Sequence, residues 1–87
     1  MTIYAWDIEA NGFQDVADTI WVSVMRNLHT KELHIFSDHD DQYPNVSESF
    51  DLFEKATGII AHNGMRYDRV VFEKVTGYAI DRDKIID

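Results

Sequence analysis

The octapeptide IYAWDIEA at positions 3–10 constrains the fold more than any other part of the sequence. It is apolar on both faces until Asp7, as a strand in the middle of a sheet would be. Such a strand needs neighbours on both edges and cover on its faces. The remaining segments must supply both.

They can be read in order. Asn11–Gly12 marks a turn. Residues 19–26 (TIWVSVMR) form a second strand, rich in β-branched and aromatic side chains. After a short connection, residues 32–37 (ELHIFS) form a third strand, paired antiparallel to the second in a hairpin. A helix follows, with Asn45 as N-cap and Glu48 in capping-box position. Val46, Phe50, Phe53 and Thr57 repeat at helical spacing, and Gly58 is expected to stop the helix at its C-terminal cap. Ile59, Ile60 and Ala61 are a short apolar run, read as a buried parallel strand. A second helix is predicted over 66–76, with Val71, Phe72 and Val75 facing inward and Gly77 as its stop. A last strand is expected within 80–86. The order is β-β-β-α-β-α-β: a mixed sheet of the α/β class with helices on its faces, formed by one domain over residues 1–87. Trp21, Phe50 and Phe53 sit at core spacing.

Composition supports one small domain. Of 87 residues, 45% are hydrophobic and 13% aromatic, which is enough for a packed core. Charged residues make up 28%, too few for wholesale disorder. The absence of cysteine excludes disulfides, thiolate zinc sites and a cysteine nucleophile. No apolar run approaches the roughly 20 residues that cross a bilayer, and the opening residues do not read as a signal peptide. The net charge of −8 is unlike that of proteins that coat nucleic acid. It is explained by solubility, or by carboxylates gathered to hold cations.

Asp7 and Glu9 are two residues apart on a strand, so both carboxylates point to one face. They lie at the strand's C-terminal end, where ligands bind in open α/β sheets. Adjacent carboxylates repel unless a cation lies between them, and hard ions such as Mg²⁺ or Mn²⁺ take oxygen ligands. An ordinary polar strand end would show the same pattern. The segment His62-Asn63-Gly64-Met65-Arg66-Tyr67-Asp68 lies between the buried strand and the second helix. Asp68 falls in that helix's first turn, where the macrodipole favours an acid. His29, His34 and His39 are scattered and read as structural or solvated.

Together, Trp6-Asp7-Ile8-Glu9-Ala10-Asn11-Gly12 and Ala61-His62-Asn63-Gly64-Met65-Arg66-Tyr67-Asp68 resemble the first two motifs of the DEDD (DnaQ-like) 3′–5′ exonucleases. The likeness is greatest to the N-terminal proofreading domains of T7-like phage family A DNA polymerases. The resemblance spans essentially the whole chain and implies a ribonuclease H-like sheet. It implies that Asp7, Glu9 and Asp68 are catalytic and hold two Mg²⁺ or Mn²⁺ ions. By the same resemblance, Asn11, Gly12 and Phe13 lie near the terminal nucleotide of a DNA 3′ end. Asn63 contacts the strand or holds its turn, Tyr67 packs, and the protein acts in the cytoplasm of a phage-infected bacterium.

The family's third motif, Tyr-x-x-x-Asp or His-x-x-x-x-Asp on a late helix, is absent. Tyr78 is followed four residues on by Arg82, and His62 five residues on by Tyr67. The sequence ends about where the family's next long helix begins. Three explanations are expected to compete: a split enzyme completed by another chain, a degenerate module that binds DNA or a protein, or a regulator that mimics the fold. An uncovered sheet would also favour association with a partner or with itself.

Overall fold

The computed structural model describes residues 1–13, 15–61 and 67–86. Five strands form one sheet: β1 (Ile3–Ala10), β2 (Ile20–Asn27), β3 (Leu33–Phe36), β4 (Gly58–Ile60) and β5 (Ile85–Ile86). The helices are α1 (Phe50–Lys55) and α2 (Arg69–Thr76). The sheet order is β3-β2-β1-β4-β5, so the octapeptide is the central strand. β1 pairs antiparallel with β2 and parallel with β4, β2 pairs antiparallel with β3, and β4 pairs parallel with β5. The α/β class, the element order and the hairpin follow the sequence reading.

β1 alternates strictly through its middle. Tyr4, Trp6 and Ile8 are buried, while Asp7 and Glu9 are exposed. Trp6 is the hub of the core. Its ring meets Phe53 of α1 edge-on at 5.2 Å and Phe72 of α2 at 5.4 Å. Its indole N–H donates to the buried Ser23 hydroxyl of β2 at 3.0 Å. Such aromatic pairs add about 0.5–1.5 kcal/mol each beyond the area they bury. Because both helices converge on Trp6, both lie on one face. Among the described residues, no helix covers the opposite face, in keeping with the uncovered sheet that the sequence leads one to expect. The molecule measures 34 × 29 × 19 Å, thin enough for two layers rather than three.

Local chemistry moved several boundaries. The predicted first helix starts as a 3₁₀ turn over Val46–Ser49 and becomes α-helical only at Phe50. Its capping box is present: the Asn45 N–H donates to the Glu48 carboxylate at 2.9 Å. Gly58 does not stop this helix. Ala56 does, by turning extended, and Gly58 opens β4, where a Cβ would come within 3.1 Å of Ile86 Cδ1. Gly77 ends α2 in the left-handed conformation, φ 77°, as expected of a helix stop. The last strand is shorter than predicted, because a 3₁₀ turn over Arg82–Lys84 leaves only two residues to pair. Trp21 is also corrected. The β1–β2 register shifts between Glu9 and Ala10, and Trp21 is the unpaired extra residue. It is half-exposed, edge-on to His39 at 5.0 Å, and not in the core.

Phe72 is fully buried and touches Trp6, Phe50 and Phe53. Phe72→Ala is expected to cost about 3–5 kcal/mol in urea unfolding. Trp21→Ala is expected to change stability by about 0.5 kcal/mol or less, as solvent-facing positions do.

Candidate functional site

The site is built at the C-terminal end of β1. Trp6 and Ile8 bury one side of the strand, so the pleat projects Asp7 and Glu9 from the other side. No ion pair among the described residues engages either carboxylate. In register, Asp7 stands opposite Val24 and Ala5 opposite Arg26. Arg26 is therefore a diagonal neighbour of Asp7 on the same face. A broad cleft of about 840 Å³ is lined by Ala5, Trp6, Asp7, Val24, Arg26, Leu33 and Ile60. Arg26 was not singled out in the sequence, because its position beside Asp7 depends on the antiparallel register.

The loop after β1 is tightly tied. The Asn11 side-chain carbonyl accepts from the backbone N–H groups of Asp18 (3.0 Å) and Thr19 (3.1 Å). Its amide donates to Asp18 Oδ1 at 2.7 Å, and the Thr19 hydroxyl donates to the same oxygen at 3.0 Å. Two more tethers come from the second motif and its helix. The Tyr67 hydroxyl donates to the Gly12 carbonyl at 2.6 Å, and Lys74 Nζ donates to the Asp15 carbonyl at 3.3 Å. Within this frame Ala17 is fully buried, while Phe13 is 81% exposed. Asn11, expected beside a nucleotide, thus spends most of its hydrogen-bonding capacity on the loop. Phe13 presents a free aromatic ring just beyond Glu9. Gly12 is constrained too, since a Cβ there would meet Val16 Cγ2 at 3.1 Å.

Asp68 is buried, with 4% exposure, immediately before α2. Tyr67 brings the start of that helix to the β1 loop. Yet among the described residues no three His, Asp or Glu side chains gather closely enough to hold a metal ion. Asp7 and Glu9 are placed together, and Asp68 is not brought into a group with them. Asn63 lies outside the described residues.

Hydrogen bonds from Asn11, and next from Thr19, hold the Asp18 carboxyl below its ordinary pKa. The Tyr78 phenol is pushed well above its ordinary range by burial and by its hydrogen bond to Glu54. No protein-family model and no curated protein matches the chain.

A lowered folded-state pKa means that Asp18 contributes stability at neutral pH. That contribution is lost as pH falls below the ordinary carboxylate value of 3.8 and through the folded value. The Thr19 amide resonance is expected to titrate in that acid window in an NMR series. Asp18→Asn is expected to remove the step.

Proposed function

We propose that this chain is the N-terminal part of a metal-dependent 3′–5′ exonuclease of the DEDD type. In this reading it works on DNA 3′ ends together with a further segment that supplies the third motif. The observation that carries the reading is the pair Asp7 and Glu9, side by side on one sheet face and, among the described residues, without an ion pair. The antiparallel β1–β2–β3 start followed by parallel β1–β4–β5 supports a ribonuclease H-like sheet. Two hard oxygen donors at the end of a central strand fit Mg²⁺ or Mn²⁺. A divalent ion there would supply a Lewis acid and lower the pKa of a bound water.

The chain's own residues then have defined tasks. Asp7 and Glu9 hold the cation, and Glu9 accepts a hydrogen bond that orients the attacking water. Phe13 stacks on the terminal base. Asp68 is the third acid, and Asn63 contacts the strand. Water oxygen adds to phosphorus, the bond to the 3′ oxygen breaks, and the leaving oxygen takes a proton. A missing general base typically costs 10²–10⁴-fold, so the isolated chain is expected to be weak or inactive.

One observation favours a second reading. Asp68 does not gather with Asp7 and Glu9, as suits a non-catalytic module on the same fold that binds DNA or a protein.

Thermal melts with Mn²⁺ test the proposal without relying on activity. Saturating Mn²⁺ at about 100 times its Kd is expected to stabilise the wild type by about 2.7 kcal/mol. Asp7→Asn with Glu9→Gln is expected to abolish that shift, and to melt no lower than wild type without metal because a like-charge pair is removed. A shift that survives in the double variant, or no shift at any Mn²⁺ concentration, would overturn the metal site. Release of mononucleotides from 3′-labelled single-stranded DNA by the purified chain would overturn the need for that segment.

A further inference from the structure

Three aromatic side chains are gathered by one buried serine just after β3. The Ser37 hydroxyl donates to the Trp21 carbonyl at 2.7 Å and accepts from the His39 N–H at 3.1 Å. The Ser37 N–H donates to the Pro44 carbonyl at 2.9 Å. Two more bonds tighten the loop between. The Gln42 N–H donates to Asp40 Oδ1 at 2.9 Å, and the Tyr43 N–H donates to the Asp40 carbonyl at 3.1 Å. Trp21, His39 and Tyr43 are thereby held around one cavity of about 280 Å³, which Val22, Ser37 and Asp40 also line. That is the lower end of the size range of small-molecule sites. The Trp21 and His39 rings, 5.0 Å apart, meet at 62°, so they form a corner rather than a stack. Trp21 is 50% and Tyr43 39% exposed. The register shift that turns Trp21 out of the core gives up apolar burial and places an indole at this cavity.

We infer that this cavity is a binding site for an alkylated organic ammonium ion, a head group with methyl groups on its nitrogen. The walls decide between ligand classes. Aromatic faces attract cations, and indole does so most strongly. The loop at 38–44, DHDDQYP, adds three acids and neither lysine nor arginine. A nucleotide stacked on Trp21 would bring its phosphate to that acidic loop. A hard metal ion takes about six oxygen ligands, and among the described residues no three His, Asp or Glu side chains gather to hold one. A primary ammonium brings three N–H donors, and Asp40 is the one carboxylate that lines the cavity, with Oδ1 already accepting from Gln42. A quaternary ammonium has no N–H to satisfy. Its methyl groups meet the rings, and Asp40 supplies the opposing charge. In register Glu9 stands opposite Val22, so the cavity begins one strand away from the acid pair. Neither Asp7 nor Glu9 lines it. The inference therefore stands apart from the exonuclease proposal and leaves the proposed metal ligands free.

The test is an NMR titration of the full chain with tetramethylammonium chloride and with choline, in a mildly alkaline buffer containing EDTA. Both are expected to shift the Trp21 indole N–H and the amides of Ser37, His39 and Tyr43 saturably, while the buried Trp6 indole N–H stays fixed. Sodium chloride and ammonium chloride at equal ionic strength are expected to give no such shift. 3,3-Dimethylbutanol, the uncharged isostere of choline, is expected to bind at least about tenfold more weakly than choline. Trp21→Ala, at a half-exposed position, is expected to abolish binding. Asp40→Asn keeps an oxygen for the Gln42 N–H and is expected to weaken binding about tenfold. Tyr43→Phe is expected to retain binding, because it keeps the ring. A peptide carrying trimethylated lysine separates the sources of the head group. Tighter binding of the peptide assigns it to a modified side chain and tighter binding of choline to a free solute, and either result supports the site. The inference is overturned if no saturable shift appears, if ammonium chloride reproduces it, if the uncharged isostere matches choline, or if Trp21→Ala binds like wild type. Asp7→Asn with Glu9→Gln is expected to leave this binding in place, so failure here and failure of the Mn²⁺ shift are separate results.

Discussion

The buried indole of Trp6 decides where everything else goes. It is wedged between Phe53 and Phe72, and its N–H is fixed on the Ser23 hydroxyl. Side chains alternate along a strand, so fixing Trp6 inward fixes Asp7 and Glu9 outward. A register slip of one residue would send both carboxylates into the aromatic core. Burying an unpaired carboxylate is far more costly than leaving it in water. The aromatic hub and the acid pair therefore enforce the same register from opposite sides of the sheet.

The loop after β1 carries this order further. Its tethers come from different parts of the chain: Asn11 to Asp18 and Thr19 within the loop, Tyr67 to Gly12 from the second motif, and Lys74 to Asp15 from α2. A loop held in this way can keep an apolar ring in water. Ala17, fully buried, anchors one side, and Phe13 stays out. The α1 end is tied to the last strand by a comparable device. Lys84 Nζ donates to the carbonyls of Phe53 and Glu54 at 3.0 and 2.8 Å, so a cation sits where helix carbonyls are left without partners.

Much of this was legible in the sequence because local rules and tertiary demands agree. The apolar octapeptide is the central strand, the 2.0-residue period places Asp7 and Glu9 on one face, and Gly77 stops α2 in the left-handed conformation. The misreadings have a common cause. Gly58 was read as a helix stop on a local preference, but the close approach of Ile86 decides its place. Trp21 was read as core from its spacing, and the register shift at Glu9/Ala10 turned it outward. The one-sided placement of the helices depends on which ring each helix finds, and no periodicity encodes that.

The acid pair and the open sheet face beside it act on each other. In water, two neighbouring carboxylates repel only weakly, because solvent screens them. Any layer laid over Ala5, Val24 and Ile60 would exclude water beside Asp7 and raise that repulsion. A covering element is therefore tolerated only if positive charge arrives with it, as a basic side chain or as a divalent ion. By linkage, whatever cation binds Asp7 and Glu9 must then favour the covered state by the same factor that covering favours the cation. Arg26, the diagonal neighbour of Asp7, makes no ion pair with it among the described residues, and its Nη1 is 3.5 Å from the Lys31 carbonyl. Whatever charge neutralises the pair, the sheet face and the carboxylates then behave as one surface.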